Sequence, residues 1–457
     1  MTPGERGRGY NMSDYIANTQ RDTEEMLRAI GAKSIDDLFD VVAPAQTPKD
    51  FDVPPGRSEF EVMRHLRDLA AKNATNLTLF IGAGVYDHFI PAVVDHISGR
   101  SEFYTAYTPY QPECSQGTLQ AIFEYQSAIC RLTDMEIANA SLYDGGTALY
   151  EAMMMARRIT GRNRVLIDKA VSPIYRTIIY SYTRNLDIEF HEIPVQHGQT
   201  DRQALQEQLN DKTACAILQN PNFFGAIDDH ADIVAQAHAH GVMAIASVYP
   251  VALGLLKTPG AMGFDIVTGE GQSLGLPLGF GGPYLGFMAT KREFARKMPG
   301  RIVGQTSDIE GRTGYVLTLQ AREQHIRREK ATSNICSNEA LCALRAVVFL
   351  SALGKEGFQE LARQNYEKAE QTKRLLSQIK GVTVKQSSPT FNEFTVVLPR
   401  NPVEIVGRMI AKGFAAGFPL ARYYPDMQNY MLVAVTEKRT KEEIAGYAQA
   451  LEATLWS

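Results

Sequence analysis

The chain is 457 residues long, 44% hydrophobic and 21% charged, ordinary values for a globular protein with room for one large domain and a smaller one. A formal net charge of −4 gives no electrostatic case for nucleic acid or an anionic membrane. Five scattered cysteines, Cys114, Cys130, Cys215, Cys336 and Cys342, include no CxxC pair, so neither a disulfide framework nor a structural zinc site is indicated, and a reducing cytoplasm is the expected compartment.

Residues 1–15 lack the apolar core of a secretory signal. Residues 19–30 read as a short amphipathic helix, and Ser34 to Asp37 has the residues of a second helix start. Four prolines in residues 44–55 predict an extended connector, and a further helix follows over 58–71. From about 77 to 289 short apolar runs alternate with helical patterns. Strands are expected at 165–167, 188–193, 214–218, 242–245 and 266–267, and helices at 116–130, 147–159, 173–184, 202–209 and 231–239. That alternation predicts an α/β fold with a mostly parallel sheet covered on both faces, whose sites lie beyond the carboxyl ends of the strands. The longest apolar run, 242–256, is broken by Ser247, Tyr249, Pro250 and Gly254 and is too short to span a bilayer. The tail differs: a long helical stretch over 338–380, strands at 382–384, 393–397 and 430–435, and helices from Pro402 and Lys438 predict a smaller α+β module. The expected division is 1–76 as an N-terminal helical arm, 77–337 as the large domain and 338–457 as the small one.

The stretch Thr268 to Gly286, TGEGQSLGLPLGFGGPYLG, follows a strand-like run and holds seven glycines, which suits a backbone that turns sharply and lets another surface come close. In enzymes that hold pyridoxal phosphate on an open α/β sheet, such a segment carries the lysine that binds the cofactor covalently. Here it contains no lysine. The carboxylate that pairs with the pyridine nitrogen is expected at the end of the preceding strand, where the chain has Ser247, and the lysine position offers Glu270, Gln272 and Ser273. A serine supplies no counter-charge and an amide forms no imine, so Ser247 and Gln272 mark a pseudo-site. Lys169, Lys257 and Lys291 are the nearest alternatives, each with a plain reading as a surface lysine.

Asp144-Gly145-Gly146-Thr147 precedes a helical run. Gly145, Gly146 and Thr147 suit a phosphate at a helix start, or else a tight turn with Thr147 as the cap. Tyr104 to Glu113 brings tyrosines, Gln111 and Glu113 together with two prolines, as a pocket or interface segment or as a proline-braced loop. Residues 324–334, QHIRREKATSN, offer arginines for a carboxylate or phosphate, or form a salt-bridged surface. Other motifs are weaker. Gly82-Ala-Gly84 lacks the third glycine of a dinucleotide fingerprint, and no GxxxxGK[ST] loop occurs. His238 and His240 are two apart and share no helix face. Gly271 to Gly275 matches the letters of a GxSxG elbow, but Pro277 and the glycines after it forbid the helix an elbow needs.

Seven strings complete the pattern: FIGAGVYDHFIP from Phe80, SEFYTAYTPYQPE from Ser101, SQGTLQAIFEYQ from Ser115, NASLYDGGTALYEAMMMA from Asn139, QNPNFFG from Gln219, GEGQSLGLPLGFGGPYLGF from Gly269 and REKATSNICSNEAL from Arg328. In these the chain resembles the P-proteins of the glycine cleavage system, the glycine dehydrogenases (decarboxylating), and among them the alpha type of the two-subunit forms. The resemblance implies a fold type I, aminotransferase-like architecture of the pyridoxal-phosphate enzymes. It implies an oxidoreductase system that decarboxylates glycine and passes the aminomethyl group to the lipoyl arm of the H-protein, with a beta subunit completing an α2β2 heterotetramer. It further implies that the beta subunit carries the pyridoxal phosphate, its lysine and its aspartate, while this chain does not hold the cofactor covalently and is inactive alone. Active sites of this fold lie at a dimer interface, which makes Tyr107, Tyr110, Gln111 and Glu113 the candidates to face one. Two rivals remain: a purely structural scaffold, and an independent pyridoxal-phosphate enzyme using Lys169 or another lysine.

Overall fold

The structure, a computed structural model, describes residues 18–39, 41, 54–385 and 388–457. Most of the connector expected over 44–55 lies outside them. By contacts the chain divides into Met1–Thr75 and Asn76–Ser457. In the first unit, α1 (Gln20–Ile30) starts where Thr19 and Asp22 form a reciprocal capping box and stops at Gly31 in the left-handed conformation; both devices satisfy backbone groups a helix end leaves open. Ser58 and Glu61 start α2 (Glu59–Ala70) in the same way. The helix start expected at Ser34 is a single 3-10 turn, Asp36–Phe39.

The second unit is built on a seven-stranded sheet. Its strands are β1 (Ile137–Ala138), β2 (Arg164–Asp168), β3 (Glu189–Ile193), β4 (Thr213–Asn220), β5 (Met243–Val248), β6 (Ile266–Glu270) and β7 (Gly286–Thr290), in the order β1-β7-β6-β5-β4-β2-β3. β2 to β6 pair in parallel, and β7 runs antiparallel to β6 and β1. Alternate residues face opposite sides: Val165, Ile167, Cys215, Ile217 and Ile245 enter one core, Leu166, Ala216, Leu218, Ala244 and Ala246 the other. The first core is covered by α4 (Gly145–Thr160), through Leu149, Met153 and Ala156. The second takes residues from α3 (Gln116–Thr133), α7 (Ala231–Ala239) and the front half of α8 (Ala340–Leu376). This is the α/β, mostly parallel architecture that the alternation predicts.

The expected helix over 338–380 is broken at Gly354 (φ 60°, ψ −171°), a conformation open to glycine. Residues of α8 before the break lie in the core of the large sheet, and Ala369 and Leu376 lie in a separate C-terminal core. That second core sits on an antiparallel sheet of Thr383–Val384, Glu393–Val397, Tyr430–Ala434 and Phe418–Pro419 with Pro402–Ile410 and Lys441–Trp456 against it. Phe80 is fully buried in it too, because Thr78–Leu79 pairs with Phe414–Ala415. Among the described residues no helix is long and apolar enough to cross a membrane.

Candidate functional site

Gln219, Ser247 and Thr268 lie side by side near the carboxyl ends of β4, β5 and β6. Beyond Gln219 and Ser247 is a cavity of about 80 Å³, bounded also by Ser172 and Tyr175 at the start of α5 (Pro173–Thr183), by Gly84 and Tyr86, by Gln272 and Ser273, and by Glu270 and Glu393. The strand order reverses between β2 and β4, and open sheets bind ligands at such points. The two pseudo-site residues therefore share one cavity. A larger cavity of about 310 Å³, lined by Phe224, Thr390, Met427 and Tyr430 among others, touches neither of them.

The Gln272 side chain is held locally. Gln272 is 3% exposed; its Nε2 donates to Leu276 O (2.8 Å) and its backbone N–H to Glu270 Oε1 (3.0 Å). The GxSxG letters lie in this turn, and no helix follows it. Lys169, Lys257 and Lys291 line no part of the cavity. They pair with Glu192 (3.4 Å), Asp229 (3.0 Å) and Asp265 respectively.

Gly145 and Gly146 are the first residues of α4, but the cap is Asp144, not Thr147. Asp144 Oδ1 accepts from the Thr147 N–H (2.7 Å), and Thr147 Oγ1 accepts from the Asp144 N–H (3.1 Å). The Gly145 N–H donates to Glu270 Oε2 (2.9 Å), and Leu285 N–H joins Gln272 N–H on Oε1 (3.0 Å). Burial lifts the Glu270 carboxyl from 4.5 to about 7, the hydrogen bonds from Leu285 and Gly145 opposing and the nearby Asp144 charge adding to the rise.

Across the cavity Glu393 is 6% exposed. It accepts from the Ala83 N–H (2.5 Å) and the Tyr86 hydroxyl (2.8 Å); burial lifts its carboxyl to about 7 against those two bonds. A Cβ at Gly82 would meet Glu393 Oε1 at 2.1 Å, so the close approach requires glycine. Tyr249 lines the cavity and shares a hydrogen bond with His88 Nε2, whose Nδ1 lies 2.7 Å from Glu437. Sequence reasoning missed Glu393, Tyr86 and His88; the available signal was an acid inside the apolar strand pattern FNEFTVV.

Tyr107, Tyr110, Gln111 and Glu113 are exposed, Tyr107 by 86%, and none lines this cavity. The segment is nevertheless fixed. Gln116 donates to Pro112 O (2.7 Å) and exchanges hydrogen bonds with the Tyr315 backbone (2.9 and 2.8 Å). The Tyr110 ring lies 4.9 Å from His325, and the Arg301 guanidinium sits 5.9 Å above it. The aromatic cluster and the basic cluster, separate in sequence, thus meet at Tyr110.

The mostly parallel sheet with a cavity beyond its carboxyl edge is here the architecture of the fold type I class of pyridoxal-phosphate enzymes, as solved structures of that class show by superposition. Glutamate decarboxylase from Lactobacillus brevis superposes with a TM-score of 0.66 over 91% of this chain and 96% of that one, at 13% identity, a likeness of fold alone. The family is narrower: residues 13–451 match the glycine cleavage system P-protein, and the chain belongs to that family. It is 59% identical over 96% of its length to the whole of a probable glycine dehydrogenase (decarboxylating) subunit 1 from Geotalea uraniireducens (strain Rf4), and 58% identical over the same share to the counterpart from Geotalea daltonii. A crystal structure of the glycine decarboxylase (P-protein) of the glycine cleavage system, in inhibitor-bound form, superposes with a TM-score of 0.90 at 43% identity, covering 96% of this chain and 99% of that one.

The residues at this chain's strand ends do not fit pyridoxal phosphate. Among the described residues lining the cavity none is lysine, arginine or histidine, and two are glutamates. A phosphate dianion would meet two carboxyl groups and no cation among them. The volume is also small beside the roughly 300–1,000 Å³ of small-molecule sites.

Proposed function

We propose that this chain is the alpha subunit of a two-subunit glycine decarboxylase. With a beta subunit, arranged as α2β2, it decarboxylates glycine and delivers the aminomethyl group to the lipoyl arm of the H-protein. The observation that carries this reading is a cavity at β4–β6 without a lysine, in a chain that aligns along 96% of its length with proteins named subunit 1. In this reading pyridoxal phosphate is held by the beta subunit, where it supplies the electron sink for the reaction. The isolated alpha chain is inactive.

The contribution of this chain lies at the face it shares with its partner. Tyr107, Tyr110, Gln111 and Glu113 close the partner's pocket, exclude water and orient glycine. What supports this is an exposed aromatic segment that Gln116 ties at Pro112 and Arg301 meets at Tyr110; groups on a fixed support are suited to positioning. Glycine–bicarbonate exchange tests the reading: neither subunit alone exchanges, and activity arises on mixing. Exchange by the isolated chain would contradict it. Alanine at Tyr107 or Tyr110 is expected to lower kcat roughly a hundredfold with the α2β2 assembly intact by gel filtration. Unchanged turnover in both variants would leave a purely structural scaffold.

A further inference from the structure

The start of α4 has the form of an anion site. It opens a 16-residue helix whose first residue, Gly145, has no side chain, and such a terminus favours negative charge. A carboxyl group already occupies it. Glu270, the last residue of β6, turns its carboxylate back so that three backbone amides donate to it: Gly145 at 2.9 Å, Gln272 at 3.0 Å and Leu285 at 3.0 Å. None of the described ion pairs includes Glu270; the three amides take the place on its oxygens that they would take on those of a bound phosphate. Packing seals the arrangement. A Cβ at Gly145 would meet Tyr175 Oη at 2.6 Å and Glu270 Cβ at 2.9 Å, and one at Gly146 would meet Ile178 Cδ1 at 2.5 Å. The Thr147 amide is held by a second carboxylate, that of Asp144.

We infer that Glu270 is a built-in replacement for a ligand phosphate, and that its carboxylate closes this chain's own strand ends to phosphorylated ligands. The inference rests on the reading that this subunit carries no cofactor, and deepens it. Loss of a lysine removes only the covalent anchor, whereas Glu270 removes the non-covalent site as well. Removing that carboxylate frees three amides at one point and leaves them to the next available anion.

The test uses the full chain, wild type and Glu270→Ala, titrated with inorganic phosphate by calorimetry and by phosphorus NMR. Glu270→Ala is expected to bind inorganic phosphate on the order of tenfold or more tighter than the wild type. Pyridoxal phosphate is expected to bind the variant reversibly, with nothing fixed by borohydride. Equal phosphate affinity of the two proteins, or no gain in a variant with native circular dichroism, overturns the inference. Should the variant fail to fold, the Gly145 amide resonance of the nitrogen-15-labelled wild type decides. It stays in place under millimolar phosphate if Glu270 holds it, and a saturable shift overturns the proposal. Fixation of pyridoxal phosphate to the wild-type chain is a different result, and contradicts the non-catalytic reading instead.

Discussion

Glu393 and Glu270 face one small cavity with no cation among its described lining residues, and burial lifts both carboxyls to about 7. Between about pH 4.5 and 7 the folded chain therefore binds more protons than the unfolded chain. Their contribution to stability is fully present below pH 4.5 and is lost as pH rises through 7. Glu393→Gln keeps an acceptor for the Ala83 N–H while removing the charge. It is expected to gain about 3 kcal/mol at pH 8 relative to the wild type, from the rise of 4.5 to about 7, and to gain nothing at pH 4. Urea unfolding at both values checks this; an equal loss of stability at both would contradict it. The placing of Ser247 and Gln272 at the carboxyl ends of neighbouring strands was legible in the apolar runs that precede them. Glu393 was not, since the Ala83 amide it binds is 310 positions away, and no local pattern reports such a pairing.

Helices and strands were legible where hydrophobic period and length agree, as at Gln116–Thr133 and Glu393–Val397. Their ends were not, because capping side chains decide them. α4 begins at Gly145 instead of 147 because Asp144 caps it, and the last helix begins at Lys441 instead of 438 because Thr440 and Glu443 form a capping box. Asp144→Ala is accordingly expected to cost about 1 kcal/mol and, by removing a neighbouring negative charge, to lower the Glu270 carboxyl below its present value. Denaturation and carbon-13 titration of Glu270 read the two effects. The break at Gly354 was hidden because helix-forming residues continue on both sides of it. Before that break, Phe349 is 1% exposed, and its Cβ lies 2.9 Å from where a Cβ on Gly275 would be. Phe349→Ala is expected to cost about 3–5 kcal/mol and to loosen the turn carrying Gln272 and Ser273. Near-ultraviolet circular dichroism and thermal unfolding check this.

At the scale of the whole molecule, the fold of the pyridoxal-phosphate enzymes surrounds a small cavity whose described lining has two glutamates and no cation, while Tyr107 and Tyr110 are exposed. In the proposed reading, a subunit of this kind keeps its fold to pair with a partner that performs the chemistry. The most direct measurement is the absorption spectrum of the purified chain with pyridoxal phosphate, followed by borohydride reduction and mass analysis, alone and then with the beta subunit. The account predicts no imine band and no added mass on the isolated chain, with both found on the beta subunit after mixing. A reduced adduct on any lysine of this chain would contradict it.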